Sequence, residues 1–362
     1  MTLINDNLLL LRRQEKSFSM SFVTLRRPDD FHVHFREGKL LQTVAPYTAA
    51  HFGRALVMPN TSPPVVSAST LSSYRLEIMM ACRTYSFEPL MTFKIYPALS
   101  AAELKALKLA GAVAGKFYPL GVTTNSGDGV SDLKAITHIL LLMEELDLVL
   151  CVHAEQPEVS SLSAERLFLK HFYWLVETFP KLKIVVEHVS TAEGVALVES
   201  LPPTVGATIT VHHLMLTLDD VINDFLHPHL FCKPIPKTTK DKEALLEAAM
   251  SGNSKFFFGS DSAPHDRSKK ENHQCAAGIF SAPSALACLA KIFEEADSIA
   301  ALEPFTSEFG AQFYGLPLNE SSIYLEQTDE KVPRTIEKLV PLAAGKSLGW
   351  RVADDLSAQR TS

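Results

Sequence analysis

The stretch Asp30-Phe31-His32-Val33-His34-Phe35-Arg36 reads DFHVHFR. In an extended strand, side chains at i, i+2 and i+4 share one face and the residues between them share the other. His32, His34 and Arg36 are therefore expected to project to one side, with Val33 and Phe35 packing on the other. Two imidazoles with a guanidinium beside them suit a pair of metal ligands next to an anion site. An isolated His-x-His is more often a plain polar strand face, so the rest of the chain has to decide.

Working outward from this strand, Phe31–Phe35, seven more β-like runs follow: Ala55–Met58, Leu90–Tyr96, Val113–Tyr118, Val149–Ala154, Ile184–Val189, Ala207–Val211 and Phe256–Gly259. Several are continuously apolar, as in LVLCV and KIVVEHV, which is the pattern of strands buried on both faces of a parallel sheet. Helical stretches lie between them. SAAELKALKLAG opens on Ser100 with Glu103 three residues on and closes at Gly111, a capping box and a glycine stop. SDLKAITHILLLMEEL opens on Ser131, and TTKDKEALLEAAMSG ends at Gly252. Eight strands, each followed by a helix or long loop, predict an α/β fold of the (β/α)8 TIM-barrel type. A doubly wound open sheet is the alternative, but its Gly-x-Gly-x-x-Gly turn is missing after the first strand. Without repeats or a linker, the chain reads as one domain over residues 22–362, with a C-terminal helical tail from about Ala282. Residues 1–21 read as an extension, with Met20 the expected native start.

The 362 residues carry a net charge of −7, with 46% hydrophobic and 21% charged. This is ordinary globular composition, and an acidic balance argues against nucleic acid as a partner. No apolar run approaches the ~20 residues of a membrane span. Five scattered cysteines (Cys82, Cys151, Cys232, Cys275, Cys288) include no Cys-x-x-Cys, so a reducing, cytoplasmic home is expected.

Polar residues recur at the C-terminal ends of these strands, where barrel enzymes place their chemistry. They are His32, His34 and Arg36 on the first, Asn60 on the second, Lys116 on the fourth, His153 on the fifth, His188 on the sixth, and Asp261 with His265 on the eighth. Each alone has an ordinary explanation: a surface lysine, a core histidine, a turn aspartate. Together, in barrel order, they form a constellation. Four neutral imidazoles and a carboxylate suit Zn²⁺ or a similar ion, with Co²⁺ and Mn²⁺ as alternatives. One ion would take His32, His34 and Asp261, and a second His153 and His188. Two adjacent cations need a bridging anion. Lys116 carbamylated by carbon dioxide, an N6-carboxylysine, supplies one charge and two oxygens. A bridging water would then ionise, its pKa falling from about 15.7 to about 7 to give a hydroxide nucleophile. Asp261 would shuttle the proton to the leaving nitrogen.

With these residues in place the chain resembles the amidohydrolase superfamily, and within it the single-function dihydroorotases of bacteria, yeast and plants. The resemblance runs from about Phe22 to Trp350 and rests on DFHVHFREG, VMPNT, GKFYPLGVTTNSGDGV, HAE, VEHVST, TITVHHLM, FCKPIPK, GSDSAPH and ENHQCAAGIFSAP. It implies reversible closure of N-carbamoyl-L-aspartate to L-dihydroorotate with loss of water, the third step of pyrimidine synthesis, at a binuclear zinc centre in a homodimer. By the same resemblance, Arg36, Asn60 and His265 hold the substrate carboxylate. The main chain at Lys233 and Ala277 contacts the ring, and a loop carrying Thr123 and Thr124 closes over it. Lys233 departs from the apolar residue that bacterial relatives can carry, adding charge near a site for a dianion. A hydantoin- or allantoin-cleaving amidase is the related alternative. A scaffold without chemistry is the unrelated one, and would be expected to have lost ligands.

Overall fold

The computed structural model describes residues 22–121, 129–130 and 132–353. The expected N-terminal extension, Thr123, Thr124 and Ser131 lie outside the described residues. The described residues form eleven strands: β1 (Phe22–Arg26), β2 (Asp29–Val33), β3 (Arg54–Val57), β4 (Glu88–Lys94), β5 (Ala112–Phe117), β6 (Val149–Val152), β7 (Ile184–Val186), β8 (Val205–Ile209), β9 (Phe256–Phe258), β10 (Ser322–Gln327) and β11 (Trp350–Val352). β2 to β9 pair in sequence order, every pair parallel, with helices between them. This is the expected (β/α)8 barrel. It closes at its upper end, where Asp261 N donates to His32 O at 2.8 Å and His34 N to Ser262 O at 3.0 Å. The hydrogen bonds that shut the barrel thus run between the two segments that carry His32, His34 and Asp261.

Local signals act as their chemistry dictates. Ser100 caps the helix Ala101–Leu109, and Glu103 returns to Ser100 N at 2.8 Å. Thr238 and Asp241 form a second box at Thr239–Met250. The helix expected from Ser131 begins later: Asp132 caps a 3-10 turn, Leu133–Ile136, that leads into Thr137–Glu145. The strands also stop earlier than expected: β2 ends at Val33 and β7 at Val186, so His32 lies within β2 while His34, Arg36 and His188 sit on the loops that follow.

The tail is helical at first, through Ala285–Glu295 and Phe309–Tyr314. It then turns to strand, where β10 pairs antiparallel with β1 and β11 to form a separate three-stranded sheet. The helix Phe309–Tyr314 closes the base of the barrel. Tyr314 stacks on Phe31 with ring centroids 4.9 Å apart, and Phe257 meets Phe31 edge-on at 5.5 Å. Gly310 is needed there, since a Cβ would overlap the Phe31 ring. Leu56, Ala114, Val149 and Val185 complete this inner apolar cluster. Among the described residues no helix is long and apolar enough to cross a membrane, and the five cysteines are unpaired.

Candidate active site

Strict alternation fails in β2, and the failure builds the site. The pairing of β2 with β3 shifts between Asp30 and Val33. Phe31 joins the inner cluster at the base, while the next residue, His32, joins the polar group above it. Val33 and Phe35 pack outward into the main core as expected. Asp30, buried completely, accepts from Ser260 N at 2.7 Å, Ser260 Oγ at 2.6 Å and His32 N at 3.2 Å, which fastens this irregular turn to the segment before Asp261. Burial raises the Asp30 carboxyl to about 6, against the opposing pull of the Ser260 hydrogen bonds.

His32, His34 and Asp261 converge. His34 Nε2 lies 3.2 Å and His32 Nε2 3.5 Å from Asp261 Oδ1, and the two Nε2 atoms are 3.4 Å apart. Their protons point elsewhere. His32 Nδ1 donates to Glu187 Oε2 at 2.6 Å, because a carboxylate can only accept, and His34 Nδ1 donates to Asn60 Oδ1 at 2.6 Å. Neutral rings so oriented turn two nitrogen lone pairs and a carboxylate oxygen toward one point, an arrangement that repels itself without a cation. Burial holds His34 down to about 4, so it is neutral near pH 7. For Asp261, burial pushes upward, but the His34 and His32 imidazoles beside it outweigh burial, and the carboxyl stays well below its usual range.

A second pair stands beside the first. His153 Nδ1 is 3.2 Å from His188 Nε2, and the His188 ring centroid is 5.0 Å from that of His32. His153 Nε2 donates to Glu155 Oε2 at 2.8 Å, leaving Nδ1 to face His188. Burial depresses both imidazoles, with the neighbouring charges of His153 and Lys116 adding to the effect at His188. Thr208 braces this corner: its hydroxyl donates to Glu187 at 2.7 Å and accepts from His188 N at 2.7 Å.

Lys116, the penultimate residue of β5, lies beneath these groups, fully buried. Its Nζ lies 5.4 Å from the Tyr118 ring centroid and has no hydrogen-bond partner among the described residues. An orphaned buried ammonium is costly. Burial lowers its pKa against the attraction of Glu187 and Asp261, favouring the neutral amine. A neutral amine adds carbon dioxide and releases a proton, and the resulting carbamate would join the lone pairs and carboxylate around it as a set of donors that cations would satisfy. The residues present thus fit both a lysine carbamate and a pair of cations.

The pocket above is lined by His32, His34, Arg36, Asn60, Tyr118, His153, His188, Lys233, Asp261 and Ala277. His265 lines the wider vestibule outside it, which Arg36 and Asn60 also reach. Arg36 Nε donates to Pro264 O at 3.0 Å, and its Nη2 lies 3.0 Å from His265 Nε2. Burial and the Arg36 charge press His265 down to about 3. Arg36, His188 and Asp261 all adopt left-handed backbone, with φ of 61°, 42° and 41°. Such conformations are strained for residues with side chains and cluster at functional sites. Tyr74 helps hold that turn, its hydroxyl donating to Arg36 O at 2.8 Å.

Every expected site residue among the described ones reaches this mouth, its vestibule or its floor. Sequence reading assigned no role to Glu187, Glu155, Thr208, Tyr118 and Asp30. Glu155 stands two residues from His153, the ring it orients, which is a signal the sequence offers, whereas Glu187 is next to His188 but orients His32, far away in the chain. Thr208 carries no such signal. A further group, His212, His213 and Cys232, brings three candidate ligand atoms within 4.8 Å. His213 already uses both nitrogens, on Thr210 Oγ1 at 2.8 Å and Pro234 O at 3.0 Å, and Cys232 donates to Pro234 O at 3.2 Å.

No protein-family model matches the chain. Among curated relatives, the dihydroorotase of Coxiella burnetii is 44% identical over 342 residues, 92% of this chain and 98% of its own. That of Nitrosomonas europaea is 41% identical over 342 residues, 91% of this chain and 98% of its own. Among solved structures, Campylobacter jejuni dihydroorotase superposes with a TM-score of 0.87 at 38% identity, covering 93% of this chain and 99% of its own. Saccharomyces cerevisiae dihydroorotase, in complex with 5-fluoroorotic acid, gives 0.86 at 34%, covering 92% and 98%. The L-hydantoinase of Arthrobacter aurescens, at 18% identity and a TM-score of 0.76 over 91% of this chain and 82% of its own, shares the fold.

Proposed function

Because this chain belongs to the dihydroorotase family of the amidohydrolase superfamily, we propose that it interconverts N-carbamoyl-L-aspartate and L-dihydroorotate at a binuclear metal centre. The observation that carries the metal centre is the convergence of His32, His34 and Asp261 acceptors beside the His153–His188 pair, over a buried Lys116 Nζ with no hydrogen-bond partner among the described residues. His32, His34 and Asp261 would hold one Zn²⁺ and His153 and His188 another, with carbamylated Lys116 adding carboxylate oxygens. The ions, when bound, would supply Lewis acidity that polarises the scissile carbonyl and acidifies the attacking water.

The chain's own groups do the rest. Arg36 offers a planar fork for the substrate carboxylate, with Asn60 and His265 beside it. The yeast relative's 5-fluoroorotic acid is a pyrimidine carboxylate, which supports the same class of ligand here. Main chain at Lys233 and Ala277 would meet the ring. In hydrolysis the attacking water adds to the ring carbonyl, the carbon–nitrogen bond breaks, and Asp261 carries the water's proton to the departing nitrogen. Its depressed pKa keeps it ionised to receive that proton. In synthesis the ureido nitrogen attacks the side-chain carboxyl, and the proton returns with the leaving water. We take the enzyme as a cytoplasmic homodimer, in keeping with five unpaired thiols.

Carbamoyl aspartate carries two carboxylates and dihydroorotate one, so ring closure consumes a proton. The equilibrium ratio of ring to open form, measured with catalytic enzyme, should fall about tenfold for each pH unit between 6 and 8. A flat ratio, or turnover of hydantoin in preference to dihydroorotate, overturns the assignment.

A further inference from the structure

The main-chain segments assigned to the ring, at Lys233 and Ala277, lie on separate loops, and something must set the distance between them. Lys270 ends the short helix Arg267–Lys270 and is buried, with 2% of its surface exposed. Its Nζ donates to Phe231 O at 2.9 Å, Ala276 O at 2.8 Å and Gly278 O at 2.8 Å. An ammonium has three N–H donors, so this set uses all of them. One accepting carbonyl lies two residues before Lys233, and the other two flank Ala277. The loops also meet directly, through Gly278 N to Phe231 O at 2.9 Å. Gly278 has φ 143°, and a Cβ there would overlap the Ala263 carbonyl, so the segment has no room to shift toward the barrel.

We propose that Lys270 is a positioning residue of the substrate pocket, its ammonium clasping the 231–233 and 276–278 segments at the spacing the ring requires. The inference rests on reading that pocket as the pyrimidine site. The clasp has a pH limit. Burial lowers Lys270 to about 8. The groups facing it are the Cys275 and Cys232 thiols, the Arg36 guanidinium and the His265 ring, while Lys269 beside it is exposed. Without its proton the amine has two donors for three carbonyls, so the clasp loosens as pH rises through 8.

The test uses the full chain. K270M keeps the stem and removes the donors. It should raise KM for dihydroorotate about tenfold while kcat changes less than about threefold and the metal count stays that of the parent. In the parent, KM should climb above pH 8. K270R, charged throughout this range, folds under the same electrostatics and should lose that climb. Amide hydrogen exchange of the resting enzyme reads the clasp without substrate: K270M should speed exchange in peptides covering 231–234 and 276–279 and leave 149–153 unchanged. Unaltered exchange, or an unaltered KM profile in both variants, overturns the clasp. Failure of the parent to turn over dihydroorotate instead overturns the functional reading, and leaves the exchange result to judge the clasp by itself.

Discussion

At the base of the barrel, Phe31 stacks on Tyr314 and meets Phe257 edge-on. One residue later, at the mouth, His32 donates to Glu187 and turns its other nitrogen toward Asp261. The same strands furnish both regions. At the base, apolar side chains fill the barrel and a helix from the far end of the chain plugs it. At the mouth, buried polar groups face one another with lone pairs and charges. The difference separates two duties along one axis. The base contributes burial, at roughly 25 cal/mol per Å² of apolar surface, and holds the strands in register. The mouth gives up stability, through strained backbone at Arg36, His188 and Asp261 and through orphaned polar atoms on Lys116 and His188, in exchange for reactivity.

That division can be broken by experiment. The largest effect is expected at the mouth. Asp261→Asn keeps the shape and removes the proton carrier, so kcat should fall about 10³-fold with substrate binding still measurable and the melting temperature near that of the parent. Near-normal turnover would remove Asp261 from proton transfer. At the base, Phe257→Ala should lower unfolding free energy by about 3–4 kcal/mol in denaturant titration. The folded fraction should keep its metal and turn over within a few-fold of the parent. Loss of metal from that fraction would show that the two regions are not separable. Glu187 lies on the border, buried between Lys116 and His32. Glu187→Gln weakens the hold on the His32 proton, and metal affinity should drop about 10- to 100-fold by competition with a chelator. An unchanged affinity would reduce Glu187 to a packing role.

Much of this was legible before any coordinates. Continuous apolar runs spaced by helices are best satisfied by a covered parallel sheet, and β6 is buried because every residue in it prefers to be. The cluster of polar residues at the mouth was legible because its members lie at or just beyond the ends of those runs, and barrel geometry brings strand ends together whatever the loops do. The capping box at Ser100 was legible for a still more local reason, since two side chains three residues apart satisfy the helix's own amides.

Other features depend on partners distant in sequence. Pairing with β3 slips between Asp30 and Val33, which puts Phe31 and His32 into neighbouring layers and defeats the simple alternation read from DFHVHFR. The tail turns from helix to strand because β1 offers an edge for β10, an edge that exists only after folding. Glu187 finds His32, and Lys270 finds three carbonyls on two loops, by the same route. Composition and spacing by themselves determined which residues prefer burial, which prefer helix or strand, and which carry metal-binding chemistry, because those preferences belong to single residues and their near neighbours. Only the tertiary structure decided register, orienting partners and the clasp, because a hydrogen bond between residues far apart in the chain has no energy until the fold brings its donor and acceptor together.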